Sequence, residues 1–202
     1  MAGSMARHAR RCDSTALKGG LRGSPAATVV VPQPGGAGAA STLPSRCGER
    51  VTWQDGARQM TDTAWEPLRD LPRGTAGLER AARALRQASS RHTSVYLYGL
   101  EGETLVLRAF EGRPTDHTRI RVGEGVCGRA VASGGSQLVA DVAGDPDYIS
   151  CSLETRSECV VLIRRDGRVV GQIDIDSDVP DAFTPEDVIG LEKAADLLAP
   201  LL

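Results

Sequence analysis

Aromatic side chains are scarce, with Phe, Trp and Tyr at 3% of the 202 residues. A core must therefore be built from Val, Leu, Ile and Ala, which the 41% hydrophobic fraction allows. Long apolar runs are missing, so no membrane span is expected and the chain reads as soluble. The N-terminus lacks an apolar signal core, since Val29-Val30-Val31 is too short, and this argues against secretion. The formal net charge of −2 argues against nucleic acid as the main partner. No Cys-x-x-Cys occurs, and His8, His92 and His117 are scattered, so no metal site is expected. The cysteines are Cys12, Cys47, Cys127, Cys151 and Cys159. An odd number without a signal argues against a disulfide framework and places the chain in the cytoplasm.

The mild charge hides an asymmetry. Residues 1–59 carry eight Lys/Arg and three Asp/Glu, a net of +5, so the rest carries −7. This basic stretch, rich in Gly, Pro and Ala, has no sustained period and reads as a disordered extension. The alternative is a misassigned start, with translation beginning at Met60. Residues 60–74 read as a linker and 75–202 as one folded domain.

Within that domain, Leu78, Ala81, Ala82, Leu85 and Ala88 recur at helical spacing and predict a helix over 75–90. Residues 94–100 and 104–110 predict a hairpin, 118–122 a short strand, 125–133 a short helix stopped by Gly134-Gly135, and 137–140 a strand. Residues 141–156 form a long polar loop. A second hairpin joins 158–164 to 168–176 through Arg165-Asp166-Gly167. A three-residue turn pairs Ile163 with Val169, Val161 with Gly171 and Cys159 with Ile173. It sets Glu158 opposite Asp174 on the other face, beside Gln172 and Asp176. Thr184, Pro185 and Glu186-Asp187 open a final helix with the stripe Val188, Leu191, Ala194, Ala195, Leu198. The fold class is α+β: a central antiparallel sheet, N- and C-terminal helices on one face, and a loop-covered pocket on the other.

Three segments carry candidate chemistry. Val122-Gly-Glu-Gly-Val-Cys-Gly128 puts the Cys127 thiol at a glycine turn entering a helix, which would lower its pKa. The alternative is a small residue buried at a tight turn. Ser150-Cys151-Ser152 puts a thiol in the polar loop, either as a nucleophile or as an inert exposed thiol. Ile173-Asp-Ile-Asp-Ser177 puts Asp174 and Asp176 on one strand face with Glu158. Crowded carboxylates share protons, and the alternative is a solvated acidic face.

This ordered set, with Ile149-Ser-Cys151, Ser157-Glu158, Gly171-Gln-Ile-Asp-Ile-Asp-Ser177 and Phe183-Thr-x-Glu-Asp187, resembles the GAF domain family over about residues 75–202. Within that family it is similar to the free methionine-(R)-sulfoxide reductase branch. The resemblance implies Cys151 as catalytic cysteine, Glu158, Asp174 and Asp176 as catalytic and substrate-binding carboxylates, and Tyr96 at the substrate. The family's usual resolving cysteine is replaced by His117, and its pocket tryptophan by His92. Cys127 is the candidate substitute resolving thiol.

The implied activity is thiol-dependent reduction of a small sulfoxide, free L-methionine-(R)-sulfoxide, in defence against oxidative stress. No bound cofactor is expected. The implied electron donor is thioredoxin or a similar external thiol. The alternative is a non-catalytic GAF module that binds a small molecule or senses redox state. A third reading is a dimerisation module, because terminal helices of this kind pair and would form a homodimer.

Overall fold

The computed structural model describes residues 28–31, 62–145, 148 and 152–202. Ten elements follow in chain order: β1 (Thr28–Val31), α1 (Thr75–Gln87), β2 (Ser94–Glu101), β3 (Thr104–Glu111), β4 (Arg119–Arg121), α2 (Gly125–Ser133), β5 (Ser136–Val139), β6 (Ser157–Arg165), β7 (Arg168–Ser177) and α3 (Pro185–Leu198). Among the described residues the strands form one antiparallel sheet of seven, ordered β1-β5-β6-β7-β2-β3-β4. The expected α+β architecture is therefore present.

The apolar periods decide which face each helix covers. Leu78, Ala81, Ala82 and Leu85 of α1 and Val188, Leu191, Ala194 and Leu198 of α3 belong to one core. Both sets meet Val95, Leu97, Cys159, Val161, Ile163, Ile173 and Ile175 on one face of the sheet. Each fully buried Val, Leu or Ile side chain contributes about 1.5–3 kcal/mol. The opposite face carries a second core of Tyr96, Tyr98, Leu105, Val126, Ala130, Val160 and Leu162. The helix α2 lies on this second face, so it is covered by a helix as well as by loops. Its end is the expected one: Gly134 adopts the left-handed conformation, φ 66°, and its N–H reaches Ala130 O and Val131 O. The start of α3 is a capping box, in which Thr184 and Asp187 satisfy each other's backbone N–H groups.

Three expectations need correction. The β6–β7 turn has two residues, not three. Asp166 (φ 52°) and Gly167 (φ 76°) both take positive φ, as a tight hairpin turn of this hand requires. Arg165 then faces Arg168 and Arg164 faces Val169, but Ile163 faces Gly171, so Val170 is an extra, bulged residue. The bulge restores parity. Ile163 pairs with Gly171, Val161 with Ile173, Cys159 with Ile175 and Glu158 with Asp176. Each pairing is two residues beyond the expected one, and a shift of two leaves every side chain on its expected face.

The second correction concerns the stretch read as a disordered extension. Thr28–Val31 lies within it and forms the edge strand β1, paired with β5. Its three consecutive valines favour extended backbone. The remainder of 1–59 lies outside the described residues. The third concerns the linker. Trp65 and Leu68, in a 3₁₀ helix over Asp62–Leu68, are only 2% exposed and pack into the α1/α3 core. A tryptophan removes enough apolar surface from water to hold such a segment down. No helix among the described residues is long and apolar enough to cross a membrane.

Candidate functional site

The hairpin register places the carboxylates. Asp174 lies between Val160 of β6 and Tyr96 of β2, and Asp176 lies opposite Glu158. Directly opposed residues share a face, so these side chains all rise from the α2 side of the sheet. None is solvated: Glu158 is 4% exposed, Asp174 0% and Asp176 1%. The reading of this strand face as a solvated acidic surface is excluded.

Cys127 comes to them from above. The turn before α2 needs positive φ at Gly123 (95°) and Gly125 (60°), where glycine is the favoured residue. At Gly128 the backbone closes on itself, and a Cβ there would sit 2.3 Å from Arg121 O. This tight entry sets Cys127 in the first turn of α2, over the sheet. Its thiol donates to Asp174 Oδ2 at 3.2 Å and points at Glu158 Oε1 at 3.9 Å. Asp176 Oδ2 accepts from Thr155 Oγ1 at 3.1 Å. A small cavity lined by His117, Ile120, Glu124, Gly125, Val126, Cys127 and Glu158 leads onto the group.

Burial dominates the electrostatics. It pushes Glu158 well above the usual carboxylate range, and the negative neighbours Asp174 and Asp176 push it further; Arg129 opposes them. Burial also raises Asp176, aided by Asp174 and opposed by the Thr155 hydroxyl. Asp174 rises to about 6 through burial, held back by hydrogen bonds from Cys127 and Glu158. Crowded and buried together, all three carboxyls hold their protons more tightly than free carboxyls do, and Asp174 is the least displaced. Such a group can donate a proton or, once ionised, hold a cation. Cys127, Glu158 and Asp174 also lie close enough together to reach one metal ion.

The structure therefore brings together Cys127, Glu158, Asp174, Asp176 and Tyr96, whose ring packs in the same face and whose hydroxyl donates to Arg113 O at 3.0 Å. Cys151 lies outside the described residues, as do Cys12 and Cys47. Cys159 is buried on the α1/α3 face, as its parity requires, and burial raises its thiol pKa. His117 is partly buried and lines the cavity. His92 does not reach the cavity side. Its ring packs 5.9 Å from Phe183, and Nδ1 lies 2.7 Å from Leu85 O, within the helix-side core. Burial lowers its pKa.

Sequence reasoning missed Thr155, Arg113 and Arg129. Thr155 is a buried hydroxyl on the acidic group. Arg113 makes a two-point ion pair with Asp178 at 2.7 and 2.5 Å and reaches Glu154 at 3.8 Å. Arg129 makes a two-point pair with Asp145, whose side chain is shielded from solvent. The arginines fasten both ends of the described loop around the site. Arg129 sits in α2 and Arg113 between β3 and β4, and a lone arginine in either place is not a specific signal.

The model of the GAF domain family matches residues 74–202. The free methionine-R-sulfoxide reductase of Escherichia coli is 42% identical over 96 residues, 48% of this chain and 58% of that protein. The reductase of the same name from Saccharomyces cerevisiae is 41% identical over 99 residues, 48% of this chain and 54% of that protein. The chain spans between 54% and 64% of the length of the curated relatives it matches. Among solved structures, the type II free methionine-R-sulfoxide reductase from Thermoplasma acidophilum is 38% identical with a TM-score of 0.61, over 68% of this chain and 94% of that one. The Neisseria meningitidis free methionine-R-sulfoxide reductase, solved with its substrate, is 38% identical with a TM-score of 0.59, over 63% of this chain and 76% of that one.

Proposed function

This chain belongs to the GAF domain family, and from that premise we propose that it reduces a small sulfoxide, free L-methionine-(R)-sulfoxide, with Cys151 as nucleophile. The observation that carries the reading is the buried, proton-holding group of Glu158, Asp174 and Asp176 under Cys127. It occurs in a chain 38% identical to two solved reductases of that substrate class.

The chemistry follows from the charges. An ionised carboxylate of the group, with Asp174 the readiest to ionise, holds the substrate's ammonium. Tyr96 forms the wall beside it. The Cys151 thiolate attacks the sulfoxide sulfur while Glu158 gives its proton to the sulfoxide oxygen. The sulfur–oxygen bond breaks, oxygen passes to Cys151 as a sulfenic acid, and the substrate sulfur gains two electrons as methionine. A second thiol then attacks the sulfenic sulfur, forming a disulfide and releasing water. Cys127 fills that role, with thioredoxin or a similar dithiol restoring both thiols. Direct attack by an external thiol is the other route. The setting is cytoplasmic, and the terminal helices offer a homodimer contact.

The second reading is a ligand-binding or redox-sensing module without turnover. It is favoured by His92, whose ring lies in the helix-side core at the position the family resemblance gives to a pocket tryptophan. Single-turnover reduction by prereduced protein separates the two. Methionine formed by wild type and not by Cys151→Ser supports the enzyme. Substrate bound but never reduced supports the sensor.

A further inference from the structure

The scattered histidines and cysteines have no metal-site spacing, yet the fold brings three possible ligands together. The donor atoms of Cys127, Glu158 and Asp174 all lie within 4.8 Å of one another. They come from α2, β6 and β7, so packing rather than local sequence brings them together. The geometry suits a tetrahedral ion. Zinc–sulfur and zinc–oxygen bonds of about 2.3 and 2.0 Å at tetrahedral angles set sulfur and oxygen about 3.5 Å apart. The two thiol–carboxylate separations here are 3.2 and 3.9 Å. The second oxygen of the fully buried Asp174, Oδ1, has no hydrogen-bond partner. Buried carboxylate oxygens left unpaired are costly, and a cation would satisfy them. The cavity walled by His117, Glu124 and Gly125 ends on Cys127 and Glu158, giving an ion a way in and a place for water.

We propose that Cys127, Glu158 and Asp174 bind a divalent ion of zinc's class, with the fourth position open to the cavity. The hard oxygens alone would accept magnesium or calcium, but the thiolate selects a softer ion. On binding, the Cys127 thiol proton and any proton held by Glu158 or Asp174 leave to solvent, and metal–sulfur and metal–oxygen bonds replace them; no electrons move. The ion occupies the carboxylates that the substrate ammonium needs, so the two exclude each other. That consequence for turnover rests on the reductase reading, whereas the binding does not.

The test is a titration of the reduced full-length protein with Co²⁺ under argon, followed by displacement with Zn²⁺. One equivalent should raise a thiolate-to-cobalt charge-transfer band in the near ultraviolet, and Zn²⁺ should abolish it. Cys151→Ser should keep the band. Cys127→Ser should lose it, and Zn²⁺ affinity, read against a chelating dye, should fall at least about a hundredfold. Circular dichroism checks that each variant folds. Should Cys127→Ser not fold, Glu158→Gln carries the test, and its expected result is a loss of at least about tenfold in affinity. A band that survives Cys127→Ser, unchanged affinity in a folded Glu158→Gln, or no band at one equivalent overturns the proposal. In a wild-type protein that turns over, Zn²⁺ should raise KM and leave kcat unchanged, with reversal by chelator. A protein that binds the ion as described but never reduces sulfoxide would sink the reductase reading alone.

Discussion

Replacing Asp174 with asparagine should make the protein's stability less dependent on pH. Folding raises the Asp174 carboxyl from its ordinary 3.8 to about 6, chiefly by burial. The folded state therefore holds this proton more tightly than the unfolded chain. That contribution to stability is complete below pH 3.8 and is lost as pH rises through about 6. The full displacement is worth about 3 kcal/mol, and about half of it develops between pH 5 and 8. The asparagine side chain would keep an oxygen to accept from the Cys127 thiol and carry no charge. It would also relieve Glu158 and Asp176, both of which the Asp174 charge pushes up. Urea denaturation of both proteins at pH 5 and pH 8 is the assay. Asp174→Asn should gain about 1–2 kcal/mol over wild type on going from the lower to the higher pH, or about 3–6 °C in Tm. A loss of equal size at both values would refute the reasoning, because Asp174 would then not be a group strained by its own ionisation.

Two further predictions concern the scaffold. Gly128→Ala drives a methyl group against backbone oxygen and should cost about 1–3 kcal/mol in urea denaturation, whereas Gly102→Ala, with open space but φ 60°, should cost about 1 kcal/mol. Thr184→Ala removes the side chain that caps α3 and should cost about 1 kcal/mol, read as a drop in the denaturation midpoint with unchanged slope.

Much of the fold was legible because local chemistry and global packing agree. Thr184, Pro185 and Asp187 specify the start of α3 without reference to any neighbour, and Gly134 specifies the end of α2. The β6–β7 hairpin shows where legibility stops. Strict alternation fixes which face Cys159, Val161, Glu158 and Asp174 occupy, because faces depend only on parity. The partner of each residue depends on turn length plus bulges, and nothing in Arg168-Val169-Val170-Gly171 announces that Val170 is the bulged residue. The same distinction holds at the site. The carboxylates on one face were readable, but their burial depended on α2 folding over the sheet, a long-range event. Thr155 gave no signal, since a threonine in a polar loop is ordinary until its hydroxyl meets Asp176. His92 misled in the other direction. Its position in the chain matches a pocket residue, yet its ring packs against Phe183.

The central claim is that Cys151, supplied with a proton by the buried carboxylates, reduces a sulfoxide. Mixing prereduced protein with excess free methionine-(R)-sulfoxide, without added reductant, and counting methionine formed per protein tests it most directly. About one methionine per wild-type chain is expected within a single turnover, none from Cys151→Ser, and a rate at least about a hundredfold lower from Glu158→Gln. Methionine formed equally by Cys151→Ser, or none formed by wild type, would contradict it.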